Sequence, residues 1–356
     1  MAKQWMIYGA NGYTGELTAR EAVKRGQAPI LAGRNKEAIS KLAGELGLSS
    51  RIFGLDDIET IKDNIADIDL VALLAGPFIY THLQMIKACM ATKTHYVDIT
   101  GEYPVFESIH RRSQEAKSAG VSLIPGVGFD VVPTDCLAAQ LKKQLPDAME
   151  LELAISSVGG GKNSISRGTL KTMIEGLGVG SIVRLNGRLT PVPYTWRTPT
   201  LDLPQGKRDA ITLPWGDVST AFYSTGIPNI AVYMTAKSLP FKMMDLVRPV
   251  MKIGMVRKGL SGLVQRFVYG PNEQERNSAK SIIWGRVKSD DGKIVTGILE
   301  TPEGYSLTAD SVIRVAEKVL KGKVPTGALT PSMAFGADYV FELNGVKGEK
   351  FIKNFS

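Results

Sequence analysis

Gly9-Ala10-Asn11-Gly12-Tyr13-Thr14-Gly15 decides how this chain is read. The apolar run Gln4–Tyr8 leads into it, and a helical stretch, Thr14–Arg25, leads out and stops at Gly26. Lys24 and Arg25 suit the negative end of that helix. A strand that passes through closely spaced glycines into a helix has the pattern of a phosphate cradle. The chain must turn sharply, and a pyrophosphate must approach backbone amides at the helix N-terminus, where a Cβ would obstruct it. The spacing is GxxGxxG rather than GxGxxG, so context carries the reading; the alternative is a structural tight turn.

Outward from the turn, short apolar runs alternate with helical patterns. Further strands are expected at Pro29–Ala32, Ser50–Gly54, Leu70–Leu74, Tyr96–Ile99 and Val121–Ile124. Ile79, Leu83, Ile86 and Met90 recur at helical spacing and predict one apolar helix face. Another helix opens near Pro104 and carries Phe106, Ile109 and Ala116. Six strands with crossovers imply an α/β fold: a doubly wound parallel sheet of the Rossmann type, covered on both faces. Ligands of such sheets bind beyond the carboxyl ends of the strands.

The end of the second strand selects the dinucleotide. An NAD site places an Asp or Glu there to accept from the ribose 2′-OH. Here Ile30-Leu31-Ala32-Gly33 runs into Arg34-Asn35-Lys36, with no acid before Glu37. A guanidinium at Arg34 can pair with a 2′-phosphate and stack on adenine, so NADP(H) is expected rather than NAD(H). A solvated basic turn is the alternative. Asp56, after the third strand, is placed to accept from the adenine amino group. The turn Ala75-Gly76-Pro77 after the fourth strand should lie beside the nicotinamide-side ribose. Alternation puts Tyr96, Asp98 and Thr100 on one side of the fifth strand.

The composition is that of an ordinary globular chain, 44% hydrophobic and 22% charged. Two cysteines, Cys89 and Cys136, without metal-like spacing, argue against a disulfide framework and a structural zinc site, which suits a reducing cytoplasm. The start runs straight into a strand, leaving no room for a signal peptide, and no apolar run is long enough to span a bilayer. The net charge of +8 is uneven. Residues 1–135 carry a net −2 and residues 136–356 a net +10. The excess points to an anionic partner for the second part: a phosphate-bearing substrate, an acidic carrier protein or a membrane surface. Nothing calls for nucleic acid. A merely basic soluble surface is the alternative.

The glycine turn, Leu31-Ala32-Gly33-Arg34-Asn35, Gly76-Pro77-Phe78, His95-Tyr96-Val97-Asp98-Ile99-Thr100-Gly101-Glu102 and Gly128-Phe129-Asp130-Val131-Val132-Pro133-Thr134-Asp135 together resemble the saccharopine dehydrogenase-like oxidoreductases. The branch most similar is that of the trans-acting enoyl reductases, which reduce double bonds on polyketide or lipid intermediates held by a partner synthase. The likeness extends to Ser166-Arg167-Gly168-Thr169, Trp284-Gly285, Thr301-Pro302-Glu303-Gly304-Tyr305 and Thr330-Pro331-Ser332-Met333-Ala334-Phe335-Gly336. It implies a cofactor domain, an inserted α/β substrate domain with a mixed sheet, and a C-terminal segment returning to the first domain. On this chain the division falls at 1–135, 136–325 and 326–356. Local patterns agree: strand-like Met149–Val158, helical Ser166–Leu177, strands Ser281–Ser289 and Lys293–Thr301 around the hairpin signal Asp290-Asp291-Gly292, and a closing helix Ser311–Lys321.

A reductase of enoyl or imine groups needs few acid–base residues, because the cofactor supplies the hydride. The protein holds the acceptor carbon, polarises a carbonyl and supplies a proton. Tyr80 is a proton-donor candidate because it follows the nicotinamide-side turn; ring packing is its alternative. Asp98, Glu102 and Asp130 are candidates for orienting ribose hydroxyls, a water or the substrate, against local turn and cap bonding. His82 and His110 read as surface or packing residues, and His95 lies away from the ligand edge. The cysteines read as small buried apolar residues. Gly159-Gly160-Gly161-Lys162-Asn163-Ser164 lacks the Ser or Thr that must follow a phosphate-loop lysine. Tyr194, Trp196, Trp215, Phe222 and Tyr223 are candidates for an acyl pocket, against strand-core packing.

Residues 237–270 hold seven Lys+Arg and one Asp among many Met, Leu and Val. A basic helical segment of this kind docks on an anionic membrane or an acidic acyl-carrier protein; a half-buried helical pair, on the substrate domain or at a homodimer interface, is the alternative. The reading at this point is an NADPH-dependent reductase of a small-molecule or carrier-bound unsaturated acyl substrate. Its rivals are an imine reductase and a non-catalytic, lipid-associated NADP(H)-binding protein.

Overall fold

The computed structural model describes residues 3–159, 166, 180–251, 270–322, 324–348 and 351–354. The chain divides into two compact units, Met1–Val132 with Gly304–Gly336, and Pro133–Glu303 with Ala337–Ser356.

In the first unit, strands β1 (Trp5–Tyr8), β2 (Ile30–Gly33), β3 (Ser50–Ile52), β4 (Leu70–Leu73), β5 (His95–Asp98) and β6 (Ser122–Ile124) fall where the apolar runs predict them. All pair in parallel, in the order β6-β5-β4-β1-β2-β3. Every residue of β1, β2 and β4 is buried, as a sheet covered on both faces requires. The order reverses between β1 and β4, which opens a crevice at the carboxyl ends of those two strands. Helix α1 (Tyr13–Lys24) buries Gly15, Thr18, Ala19 and Ala22, small side chains that let it lie close to the sheet. Helices α2 (Lys36–Leu46), α3 (Ile58–Ile65) and α4 (Phe78–Thr92) complete the crossovers.

Three features of this unit differ from the sequence reading. The helix expected from Pro104 is two helices, α5 (Tyr103–His110) and α6 (Ser113–Ala119), broken at Arg111-Arg112. Helix α4 buries Phe78, His82, Met85, Ile86 and Cys89, while Ile79 is 39% exposed. The predicted face is rotated because α4 is apolar most of the way round and His82 is buried among apolar neighbours. The His82 ring satisfies itself against Phe78 O (2.7 Å) and Ser108 Oγ (3.0 Å). His110 is likewise buried. The third difference is the return of the chain.

That return comes earlier than residue 326. The closing helix begins at Gly304, not Ser311, and belongs to the first unit. It packs along α1, with Arg25 bonded to Asp310 at 2.7 Å and Gln27 to Glu317 at 2.6 Å. A seventh parallel strand, Gly327–Ala328, then pairs with β6. The last segment, from Ala337, joins the second unit.

The second unit begins in helix α7 (Val132–Gln144) and strand β7 (Ala148–Val158). Strands β8 (Ser181–Leu185), β9 (Arg188–Val192), β10 (Thr200–Leu203), β11 (Gly206–Thr212), β12 (Asn229–Thr235), β13 (Lys280–Ser289) and β14 (Ile294–Pro302) follow. The sheet order among the described residues is β10-β11-β12-β7-β13-β14, with only β12–β7 parallel along it, so the sheet is mixed. Leu137 and Leu141 of α7 cover one face. A Cβ on Gly285 would stand 2.7 Å from Leu141, and one on Gly297 would stand 3.0 Å from Leu137. The other face buries Ala154, Tyr233, Ile282 and Trp284 with the β8–β9 hairpin. The readings at Gly160–Ser164 and Arg167–Leu177 lie outside the described residues.

Candidate functional site: a dinucleotide cradle

Each glycine of the turn answers a different steric demand. Gly9 takes φ +87°, and a Cβ there would lie 2.8 Å from the Ala75 Cβ, so the turn after β1 touches the turn after β4. A Cβ on Gly12 would stand 3.2 Å from Gly9 O, and one on Gly15 only 2.2 Å. The turn is held by Gly9 N donating to Ala32 O (2.7 Å) and Gly12 N donating to Gly9 O (3.0 Å). Gly9 and Ala10 are buried, Asn11 and Gly12 are exposed, and Tyr13 and Thr14 are half-buried.

The helix that follows is left electrostatically open. Asn35 caps α2 and Asp57 caps α3 through their side chains, whereas α1 has no side-chain cap on Gly12. At α4 the Glu102 carboxylate accepts from Phe78 N (2.8 Å) and Ile79 N (2.9 Å). The first-turn amides and positive dipole end of α1 therefore suit an anion supplied from outside. The glycines leave room for one to reach the backbone.

Arg34 and Asp56 both act electrostatically on the hydroxyl of Tyr8. Burial pushes that phenol up to about 12, with Arg34 opposing the rise and Asp56 adding to it; the hydroxyl donates to Phe53 O at 2.9 Å. Both charged side chains are exposed. No ion pair among the described residues uses Arg34. Asn35 spends its Oδ1 on the α2 cap, accepting from Ala38 N at 3.1 Å. That cap sets the backbone directly after Arg34.

Beyond β4, the Gly76–Pro77 peptide is cis, and Thr81 Oγ donates to Ala75 O at 2.8 Å. Tyr80 stands in the first turn of α4, 68% exposed. Its ring is not packed away, so the phenol is open to a ligand at this edge.

Asp98 requires a correction. It is fully buried, and its oxygens accept from Tyr96 OH (2.6 Å), Thr100 N (2.9 Å) and Gly126 N (2.9 Å). It ties the ends of β5 and β6 together and presents nothing to a substrate. Burial pushes its carboxyl up to about 6 against those hydrogen bonds. Asp130 is half-buried and lies against Gly101, where a Cβ would be 3.0 Å from its Oδ2. Burial raises it, too, to about 6.

A carboxyl raised on folding stabilises the fold in its protonated form. The contribution is complete below the unfolded value of about 4 and is lost as pH rises through about 6. Asp98→Asn cannot ionise and keeps an acceptor for both amides. Urea unfolding from pH 4 to 7 should then lose about half of the slope that Asp98 and Asp130 generate together. Asp98→Ala, which strands buried donors, should cost about 3 kcal/mol. An unchanged slope in the Asn variant would contradict the buried-carboxyl account.

One residue quoted above only for the resemblance proves to be a neighbour of the cradle. Tyr305, in the first turn of the closing helix, meets Tyr13 edge-on, with centroids 4.9 Å apart at 78°. Phe129 N donates to Thr308 Oγ of the same helix at 3.0 Å. The returning segment thus buttresses the first turn of α1. Such a ring pair contributes about 0.5–1.5 kcal/mol, so Tyr305→Ala should weaken NADPH binding by about 2- to 10-fold in a fluorescence titration. Tyr305→Phe should bind as the parent does; equal affinity in the Ala variant would show that the pair does not shape the turn.

The expected acyl pocket is not assembled among the described residues. Tyr194 is buried and packs on Phe241 at 6.0 Å, Phe222 packs on Tyr223 under Arg184, and Trp196 stacks with Arg197. These are separate packing contacts. A cavity of about 250 Å³ in the second unit is lined instead by residues including Gln140, Lys143, Phe341 and Phe351. Cys89 and Cys136 are buried, and burial holds both thiols above their usual range. No group of residues suited to hold a metal ion occurs among the described residues.

Comparison with known proteins agrees with the cradle. The trans-acting enoyl reductase of Mycobacterium leprae is 31% identical over 148 residues, covering 39% of this chain and 35% of that protein. The saccharopine dehydrogenase-like oxidoreductase of Rattus norvegicus is 28% identical over 215 residues, covering 53% and 50%. The chain thus spans half or less of the length of these curated relatives. The L-Glu-forming saccharopine dehydrogenase of Saccharomyces cerevisiae shares the fold, with a TM-score of 0.67 at 12% identity over 98% of this chain and 100% of that one. Residues 5–124 match the family model described as the saccharopine dehydrogenase NADP binding domain. The glycine turn, the open end of α1 and Arg34 all lie within the span that is similar to this family.

Proposed function

We propose that the chain is an NADPH-dependent oxidoreductase that reduces the double bond of an enoyl or related unsaturated acyl group. The observation that carries the cofactor choice is the end of β2. An exposed Arg34 outside every described ion pair follows Gly33, and no acid precedes Glu37 to accept from a 2′-hydroxyl. A guanidinium there would hold a 2′-phosphate by charge-assisted hydrogen bonds, Asp56 would serve the adenine side and the glycine turn the pyrophosphate. NADPH, when bound, supplies the hydride.

The chain's own residues orient the reactants and deliver one proton. Ala75-Gly76-Pro77 shapes the edge where the nicotinamide end would lie, held by Thr81 and by Glu102 on the start of α4. Tyr80 would present a phenolic proton at that edge for the α-carbon of the acceptor. With Asp98 sealed away, Asp130 is the carboxyl left to orient a water or the substrate. The substrate class follows the relatives named trans-acting enoyl reductases and chemistry that asks for little acid–base machinery.

NADPH oxidation should be followed with enoyl thioesters and, in parallel, with pairs of keto acids and amines. Turnover is expected with the thioesters, and Tyr80→Phe should lower kcat by about 10²-fold with NADPH affinity unchanged. Turnover confined to the imine-forming pairs would replace the substrate class. Tight NADPH binding with no turnover on either panel would make the chain a binding protein.

A further inference from the structure

Helix α8 (Asp217–Thr225) is followed, beyond β12, by helix α9 (Ser238–Met251). Leu239, Met243 and Leu246 recur along α9 at i, i+4 and i+7, so they share one narrow face. They are 69%, 65% and 82% exposed. That exposure is not the result of a loosely held helix. On the other side Asp245 accepts from Tyr194 N (2.9 Å), Thr195 N (3.0 Å) and Thr195 Oγ (2.8 Å), and Phe241 packs on Tyr194 at 6.0 Å. The anchor fixes the rotation of α9 and points the apolar stripe outward.

The same anchor sorts the charge. Asp245 is the one acid between residues 237 and 270, and it is turned inward onto those amides. Lys237, just before α9, and Lys242, within it, are exposed. Between residues 252 and 270 the sequence adds Lys252, Arg257, Lys258 and Arg266, and no acid. The exposed side therefore combines an apolar ridge with Lys237 and Lys242, neither of which is in an ion pair among the described residues. A ridge of this shape fits poorly into a folded partner, which must supply a complementary groove. A lipid leaflet needs no such groove: the side chains enter the acyl boundary while lysines remain among anionic headgroups. No helix among the described residues is long and apolar enough to cross a membrane.

We propose that the α9 face, Leu239, Met243 and Leu246 flanked by Lys237 and Lys242, docks the protein on an anionic lipid surface. This does not depend on which substrate the cradle serves. The full chain should sediment with phosphatidylserine-containing vesicles and much less with phosphatidylcholine alone. Replacing the three apolar residues together by serine should reduce that partition at least about 10-fold. NADPH affinity and thermal stability should stay as in the parent, since none of the three is buried. Lys237→Glu with Lys242→Glu should abolish the preference for the anionic vesicles. Because both native cysteines are buried, Leu246→Cys can carry a polarity-sensitive dye, whose emission should shift to the blue on anionic vesicles. The proposal is overturned if the parent ignores the vesicles, if the triple variant partitions equally, or if the dye stays in water. It is also overturned if an acidic acyl-carrier protein, and not the vesicles, is what the triple variant fails to bind.

Discussion

Gly15→Ala should abolish measurable NADPH binding, a loss of at least about 100-fold, from a chain that still folds. The added Cβ would stand 2.2 Å from Gly9 O and 2.8 Å from Ala10 Cα. Both contacts are backbone, so no flexible side chain can move aside. The start of α1 must shift away from the turn, which carries off the amides proposed to meet the pyrophosphate. The same shift should cost about 2–3 kcal/mol of stability, in the range of overpacked cores, readable as a lowered urea midpoint. Gly44 supplies the control. It lies exposed in the interior of α2 with nothing within 4 Å of a built Cβ. Gly44→Ala should leave binding untouched and stabilise by about 0.5–1 kcal/mol. Undiminished NADPH binding by Gly15→Ala would mean that the cofactor lies elsewhere.

Arg34→Asp should reverse the preference between the two nicotinamide dinucleotides. The parent loses charge-assisted bonds to the 2′-phosphate, each contributing about 1.5–3 kcal/mol, and gains a carboxylate that repels it. NADPH affinity should fall by about 100-fold or more. NADH affinity should rise, because the new carboxylate accepts from the ribose 2′-OH. Arg34 is exposed, so thermal stability should hardly change. That separates lost recognition from lost fold.

The first sheet was legible because its central strands β1, β2 and β4 are buried on both faces. Runs such as Leu70–Leu73 read as continuous apolar stretches ended by turn residues, and the glycine spacing marked where phosphate could approach. What stayed hidden depends on contacts between distant parts of the chain. The strand Gly327–Ala328 is too short to show any period, and it exists only because Gly327 N and Leu329 N find carbonyls of Val121 and Leu123. The contact of Tyr305 with Tyr13 has no local signature at all. Alternation correctly brought Asp98 to the carboxyl end of β5 but could not show that Thr100 and Gly126 amides would close over it. Glu102 was visible as a carboxylate near the same edge. Its work at the start of α4 depends on a turn more than twenty residues upstream. The face of α4 was misjudged for a simpler reason: a helix apolar on most sides carries a weak period, and a histidine with both ring nitrogens satisfied can be as buried as a leucine.

Isothermal titration of the full chain with NADPH, and separately with NADH, tests the central claim most directly. The account predicts one site per chain for NADPH, binding at least about 10-fold more tightly than NADH, the margin expected of a charge-assisted contact at the 2′-phosphate. No heat with NADPH, or equal affinity for the two, would contradict it.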